Sequence, residues 1–197
     1  IDNETEIALS SSTALAIDTE AMGLIHGRDR LCLIQICNDL NITSCIRIEV
    51  NNTKSKNIQT LFENDKIIKI FHFARFDVAA LKSNLGIDTK KIFCTKIASK
   101  LARTYTNKHG LKDLVNELLG IELDKSSQSS DWGNEENLSK EQINYAANDV
   151  RYLGESMKKL KLILKREGRY KLAKQCFEAI PVHCELDIQK FTNIFEH

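Results

Sequence analysis

Five short apolar runs punctuate the first half of the chain, each cut off by polar or turn-forming residues. Residues 14–17, ALAI, end abruptly at Asp18 and predict a buried strand. Residues 31–37, LCLIQIC, and 42–48, ITSCIRI, predict two more, joined by the turn-forming Asn38-Asp39-Leu40-Asn41. The first three strands therefore read as an antiparallel meander. Residues 66–71, KIIKIF, predict a fourth strand, residues 76–85 a helix, and residues 92–94 a brief fifth strand. Beyond them the pattern is helical almost to the end, interrupted near His109-Gly110 and across residues 123–133. One helix has a marked start at Lys140, where Ser139 and Gln142, three apart, form a capping box. Strands first, then strand–helix alternation, then helices predict an α/β fold: a mixed five-stranded sheet flanked by helices.

Composition narrows the class. Of 197 residues, 42% are hydrophobic and the formal charge is only +1, which excludes a disordered chain. No apolar run approaches the roughly 18 residues of a membrane span. The balanced charge gives no global sign of a nucleic-acid partner, so any basic binding surface must be local. The six cysteines form no Cys-x-x-Cys pair and read as small buried hydrophobes rather than a zinc site or a disulfide framework. The chain opens Ile-Asp-Asn, without an initiator Met and without a charged-then-apolar leader. The expectation is a cytoplasmic protein lacking a few N-terminal residues. No GxGxxG or Walker pattern is present.

The carboxylates are the candidate chemistry. Six acid-x-acid triplets occur, so that spacing alone carries little weight. Asp18-Thr19-Glu20 differs because it continues an apolar strand, and strand alternation puts residues i and i+2 on one face. Two acids there repel unless a hard cation such as Mg²⁺ lies between them. The alternative is a strand running out into polar residues. Asp77, in HFARFD, follows the fourth strand and is either an ordinary first-turn helix acid or a third ligand. Tyr145 and Asp149 are i and i+4 on the capped helix and share a face, with two small alanines between them. Such a phenol could position or deprotonate a metal-bound water, or be merely a half-buried Tyr beside a surface Asp.

Taken in order, AIDTEAMGL, HFARFDVAAL and YAANDVRYL resemble the three motifs of the DEDDy branch of the DEDD 3′→5′ exonucleases, specifically the ribonuclease D family. The segment LDKSSQSSDW is similar to the one that precedes the third motif there. The stretch KIFCTKIASKLARTYTNKHGLKDL, with the short tail, resembles the compact bacterial nanoRNase C relatives that degrade dinucleotides. The likeness covers roughly residues 14–165. It implies an RNase H-like fold in which Asp18, Glu20, Asp77 and Asp149 hold two divalent ions, Mg²⁺ or Mn²⁺. Tyr145 would orient the attacking water. It also implies a single catalytic domain over 1–197 with a C-terminal helical extension and no HRDC domain.

The implied reaction is 3′→5′ hydrolysis of short RNA, above all 5′-phosphorylated dinucleotides including pGpG, to nucleoside 5′-monophosphates. Ribonuclease D-like action on longer RNA or DNA is the alternative, and a non-catalytic RNase H-like nucleic-acid-binding module is a third reading from another class. A homo-oligomer, by likeness an octamer, is expected. Two basic stretches stand out: residues 96–112 hold no acid, and residues 151–174 hold nine Lys/Arg against two Glu. The second is readily a solvated helix face. The first interleaves Tyr105, so that Lys100, Arg103, Tyr105, Lys108 and His109 are candidates for binding phosphate and stacking a base. Leu24 is the candidate wedge between two bases, beside a capped pocket for the 5′-phosphate. Thr19, His72, Arg75 and Phe76, which flank the motif acids, complete the expected substrate contacts.

Overall fold

The computed structural model describes residues 8–50, 55–123, 131–133, 138–191 and 193–195. Its strands are β1 (Ala14–Ala21), β2 (Leu31–Cys37), β3 (Thr43–Arg47), β4 (Ile68–Phe71) and β5 (Ile92–Cys94). They form one sheet in the order β3-β2-β1-β4-β5. β1 pairs antiparallel with β2, and β2 with β3, as the meander predicts; β4 and β5 run parallel to β1. The central position of β1 explains its apolar run: Leu15 and Ile17 are fully buried and Ala14 and Ala16 nearly so. Every residue of β2 is buried, as a strand covered on both faces requires.

The helices are α1 (Lys56–Glu63), α2 (Ala74–Leu85), α3 (Thr95–Ala102), α4 (Leu111–Leu119), α5 (Lys140–Arg151), α6 (Leu153–Arg166), α7 (Tyr170–Glu178) and α8 (Ile180–Ile188). α5 lies against β1, β2 and β3, while α8 packs on α2. The capping box at Ser139 and Gln142 is formed as expected. The main core joins the sheet to α2, α3 and α6 through Leu15, Ile17, Phe71, Leu81 and Leu160. A second cluster of Leu33, Trp132 and Ala146 fastens α5 to the sheet.

The structure extends two expected elements. β1 continues through Asp18 and Glu20 to Ala21, because its ladder with β2 persists to a register shift at Glu20/Ala21. α2 begins at Ala74 rather than Phe76, after Phe73 takes a left-handed backbone (φ 75). All six cysteines are free, and Cys32, Cys37, Cys94 and Cys184 are buried. Of the LDKSSQSSDW segment, residues 124–130 lie outside the described residues. No helix among the described residues is long and apolar enough to cross a membrane.

Candidate active site

Asp18 and Glu20 stand on one face of β1, opposite Gln35 and Leu33 of β2. α5 crosses that face, since its Ala146 and Tyr145 pack with Leu33, Trp132 and Cys45. Tyr145 tilts against Trp132 with ring centroids 6.3 Å apart. This docking brings Asp149 of α5 to the two strand acids: one carboxylate oxygen from each of Asp18, Glu20 and Asp149 lies within 4.8 Å of the others. Asp77 does not join that group of three. It is buried in the first turn of α2, with the Thr19 hydroxyl donating to its Oδ1 at 2.7 Å. It lies close enough for its charge to act on both Asp18 and Glu20.

The electrostatics follow from crowding. Burial, then the charges of Asp77, Asp149 and Glu20, push the Asp18 carboxyl well above its ordinary range. Glu20 is pushed up to about 8 by burial and then by Asp149 and Asp77. Burial lifts Asp77 to about 7, against the lowering effect of the Thr19 hydroxyl. The Tyr145 phenol is also raised, first by burial and then by Asp149 and Glu20. Like charges held together this way suit a divalent cation with oxygen ligands, and an all-carboxylate donor set selects a hard ion such as Mg²⁺ or Mn²⁺. Asp18, Glu20 and Asp149 are the residues that could hold it.

A hollow of about 450 Å³ opens beyond the loop after β1, lined by Leu24, His26, Phe73, Arg75, Phe76 and Lys190 among others. The loop closes on Asp29, which accepts the Ile25 N–H at 2.9 Å and is forked by Arg28. A Cβ on Gly23 would meet Asp29 Oδ2 at 2.3 Å, so glycine is what permits that approach. Leu24 is thereby held out, 79% exposed. The His26 and Phe76 rings lie 5.4 Å apart, and the Lys96 ammonium sits 4.3 Å above Phe73. Arg75 donates to Asp187 of α8 through Nε and Nη2, both at 2.6 Å. Leu24, Arg75 and Phe76 were expected at a substrate surface; His26, Phe73, Lys96 and Lys190 were not. Phe73, two residues beyond β4 in the second motif, and Lys96, which opens the acid-free basic stretch, carried a local signal.

Two expected substrate contacts turn inward. Thr19 is buried and its hydroxyl is committed to Asp77, because residue 19 faces the sheet side opposite Asp18 and Glu20. Arg103 is fully buried: it pairs with Glu117 and donates to Ser99 Oγ and the Lys108 carbonyl, both at 2.8 Å. A buried guanidinium needs such partners, so this basic segment folds around its own arginine. His109 Nδ1 lies 2.9 Å from Ser99 Oγ, and the exposed Tyr105 donates its hydroxyl to Glu117. His72 Nδ1 lies 2.9 Å from Thr95 Oγ1. Lys100 and Lys108 are exposed. Most of the lysines and arginines of residues 151–174 are exposed on α6 and α7, as a solvated face predicts.

Comparisons with known proteins agree with this geometry. A family model described as 3′-5′ exonuclease matches residues 3–165. The structure of Brucella melitensis NrnC bound to pGG is 44% identical, covers 97% of this chain and 93% of its own, and superposes with a TM-score of 0.92. The same protein is known with bound Mg²⁺. The apo form of a nuclease is 42% identical, covering 100% of this chain and 95% of its own at a TM-score of 0.95. Among curated relatives, ribonuclease D of Bartonella henselae is 32% identical over 169 residues, 84% of this chain and 41% of the relative. The chain thus spans about two fifths of the length of the curated ribonuclease D relatives it matches. The sheet order and flanking helices are those of the RNase H-like exonuclease fold.

Proposed function

Because the chain belongs to the 3′-5′ exonuclease family, on the branch of ribonuclease D and NrnC, we propose that it is a metal-dependent 3′→5′ exoribonuclease. Its substrates are short RNAs, dinucleotides such as pGpG above all, and its products nucleoside 5′-monophosphates. The observation that carries this reading is the convergence of Asp18, Glu20 and Asp149, drawn from a strand and a distant helix. Acids that repel one another would also repel phosphate, so only a bound cation makes such a surface useful to a nucleic acid. Two divalent ions held there supply Lewis-acid neutralisation of a slow-reacting phosphodiester and a nucleophile at neutral pH. Asp18, Glu20 and Asp149 hold them, with Asp77 as the fourth acid. Tyr145 orients the attacking water through its hydroxyl.

Length selection is assigned to the hollow beside the first motif. Leu24 wedges between the two bases, and His26 and Phe76 offer a stacking surface. Arg75, tied to Asp187, and Lys190 supply positive charge near the end of α8. Leu24, standing out at the rim of this hollow, limits how many nucleotides stack beside it. The pGG-bound relative supports that choice, and assembly into a homo-octamer in the cytoplasm belongs to the same reading. The likeness to ribonuclease D favours a second reading, the same chemistry on longer RNA or DNA.

Stripping divalent ions is expected to abolish release of nucleotides from a 5′-phosphorylated dinucleotide, and adding Mg²⁺ or Mn²⁺ to restore it. Asp18→Asn and Asp149→Asn should each lower kcat by about 10²–10³ or more, the scale of losing one charge-stabilising group. Undiminished turnover in a chelator, or in both variants, would overturn the metal-dependent reading.

A further inference from the structure

Gln35 is the polar residue within LCLIQIC, and nothing in the reading of the acids uses it. It is fully buried, yet neither its Nε2 nor its Oε1 has a hydrogen-bond partner. Leaving a buried amide unsatisfied costs its full desolvation, so a strand of apolar residues gains nothing in stability from a glutamine here. Its position is specific. Gln35 is the cross-strand partner of Asp18, on the sheet face that α5 covers, and its partner on β3 is Cys45. Directly opposed antiparallel residues have Cβ atoms about 4.5–5.5 Å apart. The free amide therefore stands beside the acid most crowded by other carboxylates.

We propose that Gln35 is a positioning residue for Asp18: its Nε2, which makes no bond in this structure, turns to donate to the carboxylate oxygen that does not face a bound cation. This inference rests on the exonuclease reading of the site. A carboxylate has two oxygens, and a metal-binding one is commonly oriented by a donor on the other, which fixes its rotation. Among the candidates β1 and β2 offer, the other cross-strand partner of a motif acid, Leu33 opposite Glu20, has no donor to give. Gln35 has two N–H donors and no competing acceptor. The unsatisfied amide is thus a stability cost retained where it can serve the site.

The test compares the wild-type chain with Gln35→Met, which is of similar length and has no donor. Three readouts are taken: thermal stability in a chelator, Mn²⁺ binding by calorimetry, and dinucleotide hydrolysis. Expected are a melting temperature unchanged or raised, a Mn²⁺ affinity lowered about 10–100-fold, and a lowered kcat with KM little changed. A glutamine serving only the fold would give the reverse: lower stability with unchanged Mn²⁺ affinity. That result, or a Gln35→Met chain that binds Mn²⁺ as the wild type does, overturns the proposal. Should the Met variant fail to fold, Gln35→Leu, which also lacks a donor and adds no charge, carries the same expectation for affinity. If the wild type itself neither binds Mn²⁺ nor cleaves the dinucleotide, it is the exonuclease reading that falls.

Discussion

Glu117 is held down to about 2, chiefly by its bond with the Arg103 guanidinium and further by the Tyr105 hydroxyl. A carboxylate lowered on folding adds stability above its ordinary value near 4.5 and loses it as pH falls from there towards 2. Wild type should therefore lose thermal stability over that window more steeply than Glu117→Gln. Because the Glu117 side chain is 39% exposed, solvent screening keeps the difference to about 1 kcal/mol or less. Lys69 is shifted in the same direction, but because burial disfavours its charged form. It is fully buried in β4, its ammonium donating to the carbonyls of Asn64 and Ile67, and burial followed by the charge of Lys91 lowers it to about 8. The unfolded chain keeps that proton to about 10.5, so stability should rise between pH 8 and 10.5. Melting temperatures across that range should lose this rise in Lys69→Met. Neither role was legible in the sequence. Arg103 read as a phosphate-binding cation because charge alone does not reveal which arginine has a partner fourteen residues away.

The elements that were legible are those whose patterns end sharply. β2 and β5 fall where their apolar runs do, and the helix start at Ser139 follows from local capping chemistry alone. α1 has its signal in Ile58, Leu61 and Phe62, spaced three and four apart, but it is a short helix with no side-chain cap to mark it. Two elements hold the site, and each can be loosened singly. Ser139→Ala should cost about 1 kcal/mol in urea unfolding by leaving N–H groups at the start of α5 without an acceptor. Gly23→Ala should disturb the loop that presents Leu24, because the new Cβ displaces Asp29. Its effect should fall on the KM for dinucleotides rather than on cation binding. The rest of the hollow was hidden for a physical reason: Asp187 and Lys190 reach it only through the docking of α8 on α2, a packing no local pattern encodes.

For the molecule as a whole, the acids at the centre set stability against use. Half-buried, mutually repelling carboxylates destabilise the fold unless a cation offsets them, and a ligand at about 100 times its Kd adds roughly 2.7 kcal/mol. Mg²⁺ should therefore raise the melting temperature of wild type. Asp18→Asn should melt higher than wild type in a chelator and gain little from Mg²⁺. The order of the motif acids along the chain made this site readable before any fold was known. Their separation into a group of three with Asp77 set behind Thr19 was not readable, since it depends on how β1 and α2 meet.

The most direct measurement is a timed digestion of 5′-labelled RNAs from two to about ten nucleotides with Mg²⁺, beside an Asp18→Ala control. The account predicts fast loss of the dinucleotide, longer RNAs barely touched, and no cleavage by the control. A ladder descending evenly from the longest RNA would contradict the length selection assigned to the hollow and the Leu24 wedge. Cleavage that survives in the Asp18→Ala control would contradict the carboxylate site itself.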